Sequence, residues 1–264
     1  MLKIGVFDSG LGGLTVVQAM TKCIRGAEIF YVADTKNAPY GEKTPEQIQN
    51  FSLALTQYLI DTHQIDALIL ACNTATSAAI EELRKRYPSL IIIGTEPGIK
   101  PAIAQTKTGK IGVLATPATL QGNKYQNLVA TLSLDKNIQM FEQACHGLVD
   151  QIEKGEIDTP QTNAMLEGWL CVMREANVDT IVLGCTHYPL ISETIEKIMQ
   201  HKVTLIQTGD AISRHLLVLS SQKGHHNSGD IAVHIAVTGK INIQMVERIL
   251  DGYDSLSFVE IKEP

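Results

Sequence analysis

Residues 66–74 read "DALILACNT": an acid, a run of apolar residues, then a thiol, an amide and a hydroxyl side by side. An apolar run without alternation fits a short strand buried on both faces, as in a parallel sheet covered by helices. The polar triplet then falls where the strand ends and a helix begins. Residues 179–187, "DTIVLGCTH", repeat the arrangement with the cysteine in register. A second echo lies nearby: "KIGVFDSGLGG" at 3–13 returns as "KIGVLATPATL" at 110–120. The first pair is displaced by 113 positions and the second by 107. "KIGV" alone is generic, but two motifs recurring in order at nearly one offset predict a duplicated α/β unit.

The flanking chain supports this reading. "EIFYVAD" and "LIIIGT" read as further strands, and "LTVVQAMTKCI" and "TATSAAIEELRKRY" as helices. "TPEQIQNFSLALTQYLIDTH" is a helix with a Thr cap and Pro in its first turn. Such alternation predicts mainly parallel sheets flanked by helices. "TEPGIKPAI" (95–103) and "IQTGDAI" (206–212) are the natural crossovers between halves. The tail, with a strand in "DIAVHIAVTG" and a helix in "NIQMVERILDG", is expected to rejoin the first half. The expected fold class is therefore α/β, with two pseudo-symmetric domains and an active site in the cleft between them. The first domain would be discontinuous, 1–96 plus 211–264, and the second would span 97–210.

Bulk properties narrow the function. The chain has 264 residues, 44% hydrophobic and 19% charged, which suits a globular protein. A net charge of −6 offers no basic face for nucleic acid. No apolar stretch reaches the ~20 residues that span a bilayer, and "MLKIGVFDSG" lacks the features of a signal peptide. The reading is cytoplasmic, with no membrane partner. The five cysteines form no CxxC and no zinc-type spacing, which favours reduced thiols over a disulfide framework or a metal site. His225 and His226 sit in the polar stretch "SSQKGHHNSGD", an exposed loop by composition.

Ligands of open α/β sheets sit beyond the carboxyl ends of the strands. Cys72 and Cys185 are both at such ends, each before an expected helix start whose free N–H groups and dipole favour a thiolate. Alone, Cys72 reads as a small buried residue. Two thiols in matching frames suggest an acid and a base on opposite faces of one carbon, as inversion of a stereocentre by proton transfer requires. An amino acid's α-proton is weakly acidic, so donors must stabilise the carbanion. Asp8, Ser9, Asn73, Thr74, Thr186 and His187 lie at the same sheet edges and are the substrate-binding candidates. Asp8 also reads as a turn or cap residue. Cys23, Cys145 and Cys171 have no polar motif and read as packing.

"GVFDSGLGG", "PYGEKTPEQI", "ACNTAT" and "GCTHYPLI", in this order, resemble the glutamate racemases of the cofactor-independent aspartate/glutamate racemase superfamily. The match runs from residue 4 to about residue 191, with weaker echoes in "TGDAI" and "VTG". The resemblance implies that Cys72 and Cys185 shuttle a proton at Cα of glutamate, with no pyridoxal phosphate, no other cofactor and no metal. Asp8 and Ser9 would contact substrate, Asp8 close to one thiol. Tyr40 and Gly41 of "PYG" would line the pocket. Asn73 and Thr74 would hold one side of the substrate, Thr186 and His187 the other, with His187 next to Cys185 and catalytic like Asp8. Where many members carry Glu in a "PLVE" segment, "GLVDQIE" reads with Asp150 at that place. The resemblance also implies a bacterial enzyme supplying D-glutamate for peptidoglycan, as a homodimer or a monomer–dimer equilibrium. Two alternatives compete. One is a racemase of another small acidic amino acid such as aspartate. The other is a phosphate- or nucleotide-binding module using "DSGLGG", which lacks the full glycine spacing and a following Lys-Ser/Thr. A single-nucleophile cysteine hydrolase would leave the second cysteine unexplained.

Overall fold

The computed structural model describes residues 1–133, 138–251 and 256–261. In chain order its elements begin with β1 (Leu2–Asp8), α1 (Leu14–Cys23), β2 (Ala27–Ala33), α2 (Pro45–His63), β3 (Ala67–Leu70), α3 (Asn73–Arg86) and β4 (Ile91–Gly94). There follow α4 (Ile99–Gln105), β5 (Lys110–Ala115), α5 (Pro117–Gln121), α6 (Asn123–Ser133), β6 (Gln139–Ala144), α7 (Leu148–Glu153), α8 (Pro160–Glu175), β7 (Thr180–Gly184), α9 (Ser192–Ile198) and β8 (Thr204–Ile206). The described chain closes with α10 (Gly209–Gln222), β9 (Ile231–Val237), α11 (Ile243–Ile249) and β10 (Leu256–Glu260). Gly252, at the end of the predicted last helix, lies outside the described residues.

The chain divides into two compact units, one of residues 1–95 with 208–264 and one of residues 96–207. In the first, six parallel strands run in the order β10-β9-β2-β1-β3-β4. All four residues of β3 are buried, because helices cover both faces of this sheet. A core of Phe7, Leu55, Leu59, Leu68, Leu70, Ala79 and Leu83 ties α2 and α3 to the strands. Each large aliphatic side chain so buried contributes about 1.5–3 kcal/mol. Helix α2 starts at a capping box: Thr44 Oγ1 accepts from the Gln47 N–H, and the Gln47 side chain accepts from the Thr44 N–H.

The second unit has four parallel strands in the order β6-β5-β7-β8. That order repeats β2-β1-β3-β4, and the register repeats with it. Ile4 stands opposite Ala67 and Ile111 opposite Thr180, the same residues that the 107- and 113-residue offsets equate. The edge contacts match as well. The Asp34 N–H bonds Asp8 O and the Cys145 N–H bonds Ala115 O, both at 2.9 Å. The units differ outside this shared frame: among the described residues, only the first carries β9 and β10 beyond β2. They also differ after the second cysteine. A helix start is predicted directly behind Cys185, but a short 3-10 turn, Tyr188–Ile191, intervenes before α9. Pro189 sits inside that turn and removes a backbone N–H that a regular helix could use further along.

Candidate active site

In the first unit, the carboxyl ends of β1, β2 and β3 gather the candidates. Asp8 ends β1, and its Oδ1 accepts the Gly10 N–H at 2.9 Å and the Ser9 hydroxyl at 3.4 Å. The turn that follows needs glycine. A Cβ at Gly13 would lie 2.6 Å from Asp8 Cβ and 2.9 Å from the Tyr31 ring, so "SGLGG" packs tightly against the carboxylate. Cys72 is the N-cap of α3: its sulfur accepts the Ala75 N–H at 3.5 Å and lies 3.9 Å from Ser9 Oγ. Cys72 reaches Asp8 through Ser9. Asn73 and Thr74 open α3 and are buried.

Tyr40 and Gly41 begin a short 3-10 turn. The Tyr40 phenol is buried and donates to Asp34 Oδ2 at 2.6 Å. Burial first, then the Asp34 charge and hydrogen bond, with Cys72 and Asp8 adding to them, push this phenol far above its usual range. Tyr40 is therefore a neutral donor within the field of both Cys72 and Asp8. Asp34 is buried too. Its carboxylate also accepts the Thr238 hydroxyl at 2.7 Å and Asn37 Nδ2 at 3.1 Å.

In the second unit Cys185 follows β7. Its sulfur lies 3.6 Å from His187 Nδ1, and His187 Nε2 is 2.6 Å from Glu153 Oε1 of α7. Burial works against a charge on this imidazole. The hydrogen bonds to Cys185 and Glu153, with their negative charges, outweigh it and hold His187 well above an ordinary histidine. His187 thus carries a proton beside a thiol, and Glu153 fixes the ring. Thr186 is buried next to it.

Three residues at these sites escaped the sequence reading. Glu153 holds His187, whereas Asp150, one helical turn earlier, is exposed. The acid in "GLVDQIE" that matters to the site is the last one, and only helical periodicity separates the two. Asp34 ends the quoted strand "EIFYVAD", the same kind of sheet-edge position that singled out Asp8. Thr116, the cap of α5, holds the place in the second unit that Ser9 holds in the first, 107 residues apart like the motif that carries them.

Chemically, each unit offers a buried thiol amid hydrogen-bond donors, one beside a helix start and one beside an imidazolium. The family model described as Asp/Glu/Hydantoin racemase matches residues 4–216. A glutamate racemase of Sulfurovum sp. (strain NBC37-1) is 61% identical over 261 residues, 99% of this chain and 98% of its own. The crystal structure of a glutamate racemase isoform from Bacillus anthracis superposes with a TM-score of 0.85 at 31% identity, covering 99% of this chain and 97% of that one. That of Francisella tularensis glutamate racemase, in complex with D-glutamate, gives 0.80 at 29%, covering 98% and 97%. No helix among the described residues is long and apolar enough to cross a membrane. The thiols of the two sheet edges therefore stand in a chain that belongs to the Asp/Glu racemase family and, within it, to the glutamate racemases, which are isomerases.

Proposed function

We propose that this chain interconverts L- and D-glutamate by a two-thiol proton transfer at Cα, and that it supplies D-glutamate for peptidoglycan in a bacterial cytoplasm. The observation that carries the mechanism is the equivalence of Cys72 and Cys185: each lies just past the carboxyl end of the matching strand of two sheets with one register. One sulfur, as thiolate, takes the α-proton. The other, as thiol, returns a proton to the opposite face of the planar carbanion. One proton leaves and one arrives, so the carbon inverts and the two thiols exchange protonation states. The reverse reaction uses the same groups with roles swapped.

Each thiol has its own support in this reading. The α3 start stabilises charge on Cys72, and the Ser9 hydroxyl, which donates to Asp8, accepts from Cys72 in its thiol form. The His187 cation faces Cys185, and Glu153 keeps the imidazole aimed. Asn73, Thr74, Thr186 and the Tyr40–Gly41 turn bind the substrate's polar groups, where donors stabilise the carbanion in a buried setting. The thiols themselves perform the proton transfers, with neither pyridoxal phosphate nor a metal as electron sink. A homodimer or a monomer–dimer equilibrium is the assembly expected to carry the activity.

The test is hydrogen exchange in D₂O. Either enantiomer of glutamate should gain deuterium at Cα while it interconverts, and aspartate should do so far more slowly. Cys72→Ala and Cys185→Ala should each lose more than about a thousandfold in racemisation. Near-normal turnover in either variant ends the two-thiol mechanism.

A further inference from the structure

The first unit has a second concave site, at the opposite edge of its sheet from Asp8 and Cys72. A cavity of about 950 Å³ runs along the amino ends of the strands. Its floor is apolar: Leu2, Ile65 and Ile91 are each less than a tenth exposed, with Ile60 and Leu90 beside them. One wall is the turn between α3 and β4, residues 87–90. The other is the 223–230 loop between α10 and β9, part of the polar "SSQKGHHNSGD" whose composition reads as a plain exposed loop. That loop is pinned. Asn227 Oδ1 accepts the Arg25 N–H at 2.6 Å, and Asn227 Nδ2 donates to Cys23 O at 3.0 Å. His225 Nε2 donates to Arg25 O at 3.1 Å. Gly26 passes beneath with φ of 63°, and a Cβ there would collide with Ser228 O. Lys223 Nζ donates to Ser89 O at 2.6 Å and ties the two walls together.

Two cations stand at the β4 end of this cavity. Arg86, in the last turn of α3, and Lys223 both line it. Cations suit the carbonyl ends of helices that gather at this edge, a role that Arg84 and Lys85 serve from outside the lining. Arg84 also reaches the Ile92 carbonyl at 3.3 Å, whereas the Arg86 guanidinium has no hydrogen-bond partner among the described residues. It lies 5.8 Å from the centroid of the Tyr87 ring. That ring is anchored by its hydroxyl, which donates to Gln57 Oε1 at 2.8 Å. Two acids belong to the lining as well. The Asp66 carboxylate is engaged by the Lys3 N–H at 2.9 Å, and Asp230 stands before β9, four strands away from β4.

We propose that this cavity binds a small organic phosphate carrying a flat ring, of the aryl or nucleoside monophosphate class. Arg86 offers a fork of N–H donors. Lys223 keeps two ammonium donors beyond the one spent on Ser89 O. With the Ser89 hydroxyl they match a head of three oxygens, more than a carboxylate presents. The ring lies on the apolar floor beside Tyr87. The volume is that of a site for an organic molecule and far exceeds what a bare ion fills. Asp230, at the other end, disfavours a second anionic group, so the ligand carries its charge at one end only. The site is separate from the catalytic groups proposed above. Cys72 caps the amino end of the 14-residue α3 and Arg86 closes its carboxyl end, about 20 Å away.

The experiment is calorimetric titration of the full chain with phenyl phosphate, adenosine monophosphate and inorganic phosphate, each with and without D-glutamate. Expected is saturable binding of both ring-bearing phosphates at one site per chain, about tenfold or more tighter than inorganic phosphate and indifferent to D-glutamate. Arg86→Gln and Lys223→Gln should each weaken it about tenfold. Tyr87→Leu should weaken the ring-bearing ligands and leave inorganic phosphate as it was. Arg86 and Lys223 are exposed, so their replacement spares the fold. Ser89→Glu, on the exposed turn, sets an acid against the phosphate and should abolish binding by an independent route. Turnover of glutamate by all four variants should stay within about twofold of wild type, because none lies at the carboxyl edge. Absence of saturable binding at millimolar concentration would overturn the proposal. So would competition by D-glutamate, inorganic phosphate binding as tightly as adenosine monophosphate, or affinities that Arg86→Gln, Lys223→Gln and Ser89→Glu leave unchanged.

Discussion

Cys72 and Cys185 occupy one position in a repeated frame, yet what surrounds them differs. Cys72 caps the 14-residue helix α3, and its sulfur takes a backbone N–H from the first turn. Cys185 runs into a short 3-10 turn, and its sulfur faces an imidazole at 3.6 Å instead. Positive potential reaches the first sulfur from a helix start and the second from His187, whose proton Glu153 and Cys185 retain. The repeated sheet thus supplies the position of a thiol, and the local chain supplies its electrostatics. On the proposed two-thiol mechanism, two unlike supports for two like groups predict that each direction of proton transfer can be impaired separately.

The largest effects after loss of a thiol should come from removing those supports. His187→Asn takes away the cation beside Cys185, and we expect kcat to fall about a hundredfold. Asp8→Asn disturbs the Cys72–Ser9–Asp8 chain and should cost a similar factor. The sharper measurement is the α-deuterium isotope effect in each direction. The two variants should raise it for opposite enantiomers of glutamate. If both raise it for the same enantiomer, the supports do not serve separate thiols and the comparison breaks.

A smaller loss, about tenfold in kcat, is expected for Glu153→Gln. Glutamine keeps a hydrogen bond to the ring but not the charge that helps to hold the His187 proton. The imidazolium should then be lost at lower pH, and the alkaline limb of the kcat profile should move toward acid. Stability follows the same sign. A histidine raised in the folded state stabilises in full below the ordinary value of 6.5 and loses that contribution as pH rises through the raised one. Denaturation midpoints of variant and wild type should therefore differ in mild acid and converge in alkali. A pH profile that stays in place would show that Glu153 is not what keeps His187 charged.

How far the sequence foretold all this depends on how local each signal is. The strands were legible because their apolar runs are short, buried and bounded by turn residues, and the repeat because "KIGV" and the Cys-bearing motif recur in order. Cys185's motif looked like Cys72's, so a helix was expected behind it. The chain turned otherwise because Pro189 and the 3-10 turn reset the backbone. Glu153 was missed because one helical turn separates it from Asp150, and only the seating of α7 decides which acid meets His187.

The smallest effect concerns stability alone and separates the two frames at the other end of their strands. Asp66 and Asp179 open the two repeated motifs, and each backbone N–H reaches back to the central strand, to Lys3 O and Lys110 O. Their carboxylates differ. That of Asp66 accepts the Lys3 N–H at 2.9 Å. That of Asp179 accepts the Thr106 hydroxyl at 2.6 Å, the Lys107 and Thr108 N–H groups at 2.7 and 2.8 Å, and the Thr180 hydroxyl at 3.0 Å. Burial alone would raise Asp179, but these four bonds outweigh it and hold the carboxyl at about 2. A lowered carboxyl stabilises above its ordinary value and loses that contribution as pH falls through the lowered one. The group is partly exposed, so solvent screening leaves about 1–2 kcal/mol at neutral pH. Asp179→Asn should lower the melting temperature by a few degrees at pH 7 and by nearly nothing near pH 2, with kcat unchanged. Asp66→Asn should cost about 0.5 kcal/mol or less at either pH. Equal losses at the two positions would mean that the shared strand start, and not the 106–108 turn bound only in the second unit, is what the aspartate secures.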